Sequence, residues 1–351
     1  MKGMILAAGL GTRFRPATFE IPKPLIPFCN RPLIAWVLDA MLAAGVREIA
    51  VNLHHLPDPL ETFLRERYAG RCDFVFSREE RILGTGGGIR RLREVLGRDD
   101  LFVLANGDTV QTPPFERLAQ TCRRERAVAA LLLRHPPPNE RFTEVFFDGT
   151  RITGFGKGRG EPLMFAGAHA VSRAIFELLP EREVSGITED VYDPLIGSGG
   201  TLAGVVDDGL WFDLGSPARY LDATREVARS MMEGRLPLPA GSRVAGSSIV
   251  AEDASVEGEA SFTVAGAGAG VAESAVAGAS VFWEQARIGP GARVTDSILG
   301  RGVRIPAGAR VHNALVCRRI AGIDYPEGTV EAGELVAVAA RSGAFALEGL
   351  S

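Results

Sequence analysis

The chain is short of the residues that announce redox, metal or hydrolytic chemistry, and each shortage removes a class of function. Its four cysteines, Cys29, Cys72, Cys122 and Cys317, are scattered with no Cys-x-x-Cys pair, so neither a zinc site nor a disulfide framework is indicated and a reducing compartment is expected. The five histidines include none with a second ligand at metal spacing, and only His169 is a candidate for a site role. A net charge of -4 gives no electrostatic reason to expect nucleic acid or an anionic membrane as partner. No apolar run approaches a membrane span. Met1 leads straight into an apolar segment without a basic region, a long apolar stretch and a cleavage site, so a cytoplasmic location is expected. Two familiar nucleotide loops are also missing. Phe14 stands where a dinucleotide fingerprint needs its third glycine, and no Gly-Lys-Ser/Thr is present.

What is there is concentrated in residues 4–27, MILAAGLGTRFRPATFEIPKPLIP. A short apolar strand breaks at Gly9 into a loop with two glycines, Arg13, Arg15 and a lysine, Lys23, between two prolines. Gly9 and Gly11 let backbone approach a ligand closely, and exposed amides flanked by cations suit a polyphosphate. The prolines stiffen the segment around Lys23.

This segment resembles the signature of sugar-1-phosphate nucleotidyltransferases, also called nucleotide-sugar pyrophosphorylases, and the resemblance extends over most of the first 230 residues. It implies nucleotide-binding roles for Ala8, Gly9, Gly11 and Thr12. It gives Arg13 the leaving pyrophosphate to support and Lys23 a phosphate to contact.

At 351 residues, 46% apolar and 23% charged, the chain is long enough for two domains. We expect a nucleotidyltransferase domain over 1–235 and a second over 236–351. Apolar residues at helical spacing after Pro32, ending at Gly45, predict a helix. Residues 46–53 and a stretch from Cys72 predict strands, with a helix from about 59 to 68 between them. The fold class expected is α/β, a Rossmann-like and mostly parallel sheet with helices on both faces, whose ligands sit beyond the carboxyl ends of strands.

In residues 78–92, REERILGTGGGIRRL, the glycines form a bare stretch before a helix predicted to start near Ile89. The family resemblance places such a segment along the nucleoside, making Thr85, Gly86 and Gly87, with Gly88, candidates for the base and ribose wall, and leaving Glu79 and Glu80 unranked. LFVLANGDT, 101–109, runs an apolar strand into Asp108. GLWFDLGSPARYLDA brings Asp213 out of a short strand before a helix that Ser216 caps and Pro217 begins. It resembles the family's W-x-D-x-G-T-P segment, with serine for threonine. The resemblance implies that Asp108 and Asp213 together hold Mg2+, a cation commonly bound by one or two carboxylates plus substrate phosphates and water.

Between them, 143–158 predicts a hairpin turning at Asp148 and Gly149. It leads to Lys157, where the family carries Glu-Lys-Pro and this chain has Gly-Lys-Gly. Lys157 as a sugar-phosphate ligand, Gly167 against the sugar and Glu189 at a sugar hydroxyl are implied by the resemblance. A solvated hairpin lysine and a helix-start carboxylate are the alternatives for Lys157 and Glu189.

From Arg243 to Cys317 apolar residues recur every six: Val244, Val250, Val256, Phe262; Val276, Phe282, Ile288, Val294; Ile305, Val311. This period predicts a β-helix of roughly four coils closed by the apolar tail 334–347. It resembles the short left-handed β-helix of hexapeptide repeats appended to several sugar nucleotidyltransferases, a module that implies a homo-oligomer.

The implied reaction is attack of a sugar 1-phosphate on the α-phosphate of a nucleoside triphosphate, releasing pyrophosphate. The phosphate nucleophile is already anionic, so no general base is needed. Positioning and charge neutralisation by Mg2+, Arg13 and Lys23 would carry the rate. Mannose 1-phosphate with GTP is the favoured pair, as in mannose-1-phosphate guanylyltransferases. N-acetylmuramate 1-phosphate with UTP, or heptose 1-phosphate, is the alternative, and a catalytically silent subunit that binds nucleotide sugars is a further one. An acyltransferase is disfavoured because His312 stands alone near the end of a short β-helix.

Overall fold

The computed structural model describes every residue except Asn139, Ala344 and Ser351. It divides into two compact units, one of Met1–Leu10 with Leu33–Phe212 and one of Gly11–Pro32 with Asp213–Ser351. Among the described residues no helix is long and apolar enough to cross a membrane. The four cysteine thiols are free, three of them buried.

The first unit is built on a nine-stranded mixed sheet. Its parallel part runs Asp73–Arg78, Glu48–Leu53, Lys2–Leu6, Leu101–Asn106, with Met4 in register with both Ala50 and Leu104. Glu48–Leu53, Lys2–Leu6 and Leu101–Asn106 are apolar almost throughout because both faces are covered; Met4, Ile5, Phe102 and Val103 have no exposed surface, whereas Asp73–Arg78, at the sheet edge, is only partly buried. Glu161–Ser172 then runs antiparallel to Leu101–Asn106, and also pairs with Ala129–Arg134 and Glu144–Phe147. Helix Leu33–Ala43 ends as the glycine predicts: Gly45 is left-handed at φ 78 and the Val46 N–H donates to the Met41 carbonyl at 3.0 Å. The second helix spans Pro57–Arg67. In the hairpin, Asp148 accepts from the amides of Thr150 and Arg151, which fixes the turn.

The glycine stretch departs from expectation. It is itself the start of a helix, Gly84–Arg91, rather than a bare connection ahead of one. Gly84, Gly86 and Gly87 are small because residues 183–185 lie on them. A Cβ at Gly87 would sit 2.3 Å from the Glu183 carbonyl oxygen, and one at Gly84 2.5 Å from that of Ser185.

In the second unit, parallel strands stack on three walls, as a β-helix requires. Val250, Ala265, Phe282, Leu299 and Val316 follow one another up one wall, which makes four coils among the described residues. Val256, Val271, Ile288 and Ile305 occupy the second wall, and Ala260, Ala277, Val294 and Val311 the third. The repeat is therefore 17 residues after a first coil of 15, with one five-residue step among the hexads. That step turns a corner through a left-handed residue, Phe262, Ala279, Asp296 or Asn313, at φ 49 to 54. Two members of the predicted apolar series are consequently off the core column: Phe262, on a corner, is 58% exposed, and Val276 stands one position before the buried Ala277; Val244, on the antiparallel strand before the first coil, is 42% exposed. The buried residue after the corner is Thr263, Ser280, Ser297 or Ala314, with Ser248 beneath Thr263 in the same column. The Ser280 and Ser297 hydroxyls each donate to their own corner carbonyl and accept an amide from the next coil.

Helix Pro217–Met232 begins as predicted, with the Ser216 hydroxyl accepting from the Arg219 amide. It packs with the β-helix and with the Gly11–Pro32 loop. The buried Tyr220 ring lies edge-on to Phe14, Phe28 and Trp283, at centroid distances of 5.5, 5.8 and 6.5 Å.

Candidate functional site

The first strand delivers Ala7 and Ala8, both buried, and then Gly9, which is exposed and has no atom within 4 Å of where a Cβ would be. That open face suits close approach by a ligand. The Ala7 N–H donates to Asn52 Oδ1 at 2.9 Å, Asn52 Nδ2 donates to Glu79 Oε1 at 2.8 Å, and the Leu83 N–H donates to Glu79 Oε2 at 3.0 Å. Glu79, 5% exposed, thus ties the strand before the glycine loop to the start of the glycine helix, whereas Glu80 is exposed. Asn52 was missed by sequence reasoning. Its signal was an asparagine inside an apolar strand, where that residue is depleted.

Asp108 is half-buried just beyond Leu101–Asn106. Gly107 must be small there: its amide donates to the Leu6 carbonyl at 2.9 Å, and a Cβ would meet Ile5 at 2.8 Å. Asn106 is opposed by Gly167, left-handed at φ 81, whose Cβ would lie 2.5 Å from Asn106 Nδ2. The strand carrying Gly167 shifts register between Phe165 and His169. So Asp108 and Gly167 both flank Asn106, the end of one central strand.

Gly86 and Gly87 turn their amides to the Ser185 carbonyl, at 2.9 and 3.3 Å, while Thr85 between them and Gly84 is half-buried. Lys157 is exposed in the tight bend after Ile152–Phe155, where Gly154 has the Lys157 carbonyl oxygen 1.9 Å from its Cβ position. Glu189 is exposed within a π-helical turn, Thr188–Tyr192. Its neighbour Asp190 makes the local cap, accepting from the Gly186 amide at 2.8 Å. Tyr192 anchors that turn through a 2.8 Å hydrogen bond between its hydroxyl and His169 Nδ1, both fully buried. Burial pushes the His169 pKa down to about 3, so the imidazole is neutral and structural. On the surface, His135 is held above its ordinary pKa by Asp208 and then Glu161, at 2.7 and 3.0 Å.

The second unit carries the cationic half of the candidate set. Gly11 is left-handed at φ 62, and its Cβ would meet Thr18 at 2.9 Å and Lys23 at 3.1 Å. The Thr18 hydroxyl donates to the Gly11 carbonyl at 2.9 Å. Thr12 and Arg13 are exposed on a short 3-10 turn, Thr12–Phe14, and Lys23, 7% exposed, opens another, Lys23–Leu25. Arg15 lies over the Phe19 ring at 4.8 Å.

The Arg13 guanidinium rests on Gly215, where a Cβ would come within 2.5 Å of Nη1. That contact explains the glycine between Asp213 and the helix cap. Asp213 is paired with Arg219, Oδ2 to Nη1 2.9 Å, a partner that the motif did not reveal. The unit thus brings together Arg13, Gly215, Asp213 and Arg219 beside the start of Pro217–Met232.

Both aspartates offer carboxylate oxygens, the donor type that Mg2+ prefers. Among the described residues the ion pair of Asp213 engages Oδ2. Among the described residues no group of three or more histidine, cysteine, aspartate or glutamate side chains forms a metal cluster.

The sequence model of the family described as "Nucleotidyl transferase" matches residues 2–230. That described as "GlmU-like, C-terminal hexapeptide" matches 239–321. The chain is similar to a mannose-1-phosphate guanyltransferase of Aspergillus fumigatus, 31% identical over 246 residues, 64% of this chain and 63% of that protein. It is also similar to a mannose-1-phosphate guanylyltransferase of Mycobacterium tuberculosis, 28% identical over 311 residues, 87% of this chain and 81% of that one. The match spans just under two thirds of the fungal relatives' length. The crystal structure of HddC from Yersinia pseudotuberculosis complexed with GMP-PN shares the fold at 20% identity, with a TM-score of 0.54 over 64% of this chain and 99% of that one.

Proposed function

The chain belongs to the nucleotidyl transferase family, and on that premise we propose that it joins a nucleoside triphosphate to a sugar 1-phosphate, releasing pyrophosphate and a nucleotide sugar. The observation that carries this is the family match over 2–230, which encloses every candidate position from Ala8 to Asp213. Similarity to two mannose-1-phosphate guanylyltransferases supports mannose 1-phosphate and GTP as the substrates.

In this proposal Gly9 and Gly11 admit the triphosphate to the backbone, with Ala8 and Thr12 beside it. Arg13, braced on Gly215, neutralises the departing pyrophosphate, and Lys23, seated by its prolines, holds phosphate charge in a fixed place. Thr85, Gly86 and Gly87 form the nucleoside wall. Because the Gly86 and Gly87 amides already bond Ser185, that wall reads the base by shape and through Thr85. Lys157, Gly167 and Glu189 take the sugar phosphate and sugar. Asp108 and Asp213 would hold Mg2+, which supplies charge neutralisation at the α-phosphate when bound. The nucleophile is a phosphate oxygen, anionic at neutral pH, so no residue of the chain has to remove a proton. Catalysis belongs to 1–235, and 236–351 contributes self-association in the cytoplasm.

Mass spectrometry of products from each nucleoside triphosphate paired with a panel of sugar 1-phosphates tests the proposal. GDP-mannose as the dominant product is expected. A UDP-sugar or GDP-heptose as the dominant product would replace the substrates, and no nucleotide sugar from any pair would remove the activity.

A further inference from the structure

The second unit contains a cleft of about 1340 Å3 that none of the candidate site residues lines. Four arginines, Arg287, Arg304, Arg318 and Arg319, face it, against one carboxylate, Glu334. Arg318 is paired with Glu20 and Arg319 with Glu331, so the cations of the cleft without an ion pair among the described residues are Arg287 and Arg304.

The coil register explains how it arises. Arg287 and Arg304 are in-register partners on consecutive coils, so their backbones lie about 4.8 Å apart and their like charges repel. Elsewhere on the coil the same stacking is neutralised. Glu284 and Arg301, one coil apart, are paired at 3.2 Å, and Arg310 stands in register with Glu348 of the closing strand. Among the described residues neither Arg287 nor Arg304 has an ion pair.

The floor beneath them is bare. Gly270 precedes Arg287 in the same column, and a Cβ there would lie 3.5 Å from Arg287 Nη1. The opposite wall is fixed by the Arg319 amide donating to the Glu334 carbonyl at 2.7 Å, and nearly buried Leu335 and Leu350 supply apolar surface. Two guanidinium forks beside apolar surface match a phosphoryl group carried on an organic body. The volume exceeds the ordinary range of small-ligand sites, so a nucleotide-sized molecule fits.

We propose that this cleft is an effector site for a phosphorylated anion of nucleotide size, with Arg287 and Arg304 gripping its phosphoryl oxygens. The cleft is wired to the loop that carries Arg13 and Lys23. Arg318 lines it and at the same time pairs with Glu20 of Gly11–Pro32, at 2.7 Å. An anion in the cleft competes with Glu20 for Arg318 and so acts on that loop. Its consequence for turnover rests on the function proposed above; binding itself does not.

Calorimetric titration of the full chain with inorganic phosphate, pyrophosphate and GDP tests the proposal without requiring turnover. We expect two sites per chain for the nucleotide, one of which is weakened about a hundredfold in Arg287→Ala/Arg304→Ala, two charge-assisted contacts at about tenfold each. Both arginines are exposed, so the thermal midpoint should be unchanged. Glu20→Gln should tighten the same site by freeing Arg318. Binding of pyrophosphate and phosphate at this site would mark the phosphoryl group as the determinant; GDP binding alone would show that the organic body is also required. No site in the parent chain, or none that is weakened in the double variant, would overturn the proposal; a single site that the double substitution weakens would uphold it and count instead against nucleotide binding at the proposed active site. So would a double variant that keeps anion binding but changes oligomeric mass in sedimentation, since the arginines would then face a second copy of the chain.

Discussion

Removing one buried hydroxyl should loosen the whole cationic half of the candidate site. The Tyr220 hydroxyl donates to the Pro27 carbonyl, just past Lys23, and accepts from Trp283 Nε1 at 3.1 Å. Burial pushes its pKa far up, so the phenol stays protonated and able to donate. Tyr220→Phe keeps the ring among Phe14, Phe28 and Trp283 but leaves a buried carbonyl and a buried indole N–H without partners. Each stranded group costs about 1–3 kcal/mol, so the sum is about 2–6 kcal/mol. That is a large part of a typical domain stability of about 5–15 kcal/mol. Urea unfolding followed by intrinsic fluorescence and circular dichroism would read it as an earlier transition. Because Pro27 anchors the loop, kcat/KM for the triphosphate should fall as well, in protein that is still folded at assay temperature. A loss below about 0.5 kcal/mol, within the range of neutral surface changes, would refute the dry, doubly bonded hydroxyl and the anchoring argued from it.

Gly11→Ala places a side chain at φ 62 and within 2.9 Å of Thr18, and should cost about 1–3 kcal/mol while weakening triphosphate binding, measured by calorimetry beside thermal unfolding. Ser280→Ala should leave the buried Ser297 amide unpaired, while the Gly278 carbonyl keeps the Asp296 amide, at about 1–3 kcal/mol, checked by the melting of the β-helix; an unchanged melt would deny the ladder a structural role. For His169 the folded pKa lies near 3 against about 6.5 unfolded. The unfolded chain therefore binds a proton that the native state refuses, and stability should fall as pH drops from about 6.5 toward 3, by about 4–5 kcal/mol in total. His169→Gln should flatten that limb in urea titrations across pH.

The legible parts of the fold were those written in local periodicity. Strands buried on both faces read as apolar runs, and Gly45, Asp148 and Ser216 each act where their own chemistry acts on the adjacent backbone. The hexad period announced the β-helix. It could not announce that each coil uses one five-residue step, because a buried serine or threonine beside the corner stands where an apolar residue was sought. Phe262, on the corner, was consequently counted as core although it is 58% exposed. Glycines were legible as punctuation but their partners were not. Gly87 is small for Glu183, Gly167 for Asn106 and Gly215 for Arg13, all contacts between segments distant in sequence. The same holds for the Ala7–Asn52–Glu79 relay, since hydrogen bonds between separate strands leave no spacing to read.

Asp108 and Asp213 are proposed to serve nucleotidyl transfer rather than the fold. Pyrophosphate release with GTP and mannose 1-phosphate, compared among the parent chain, Asp108→Asn and Asp213→Asn, tests it most directly. The account predicts that both substitutions abolish release while circular dichroism and the thermal midpoint stay close to those of the parent, since each keeps the side-chain shape and removes the charge. Substituted proteins that retain the parent rate would contradict it.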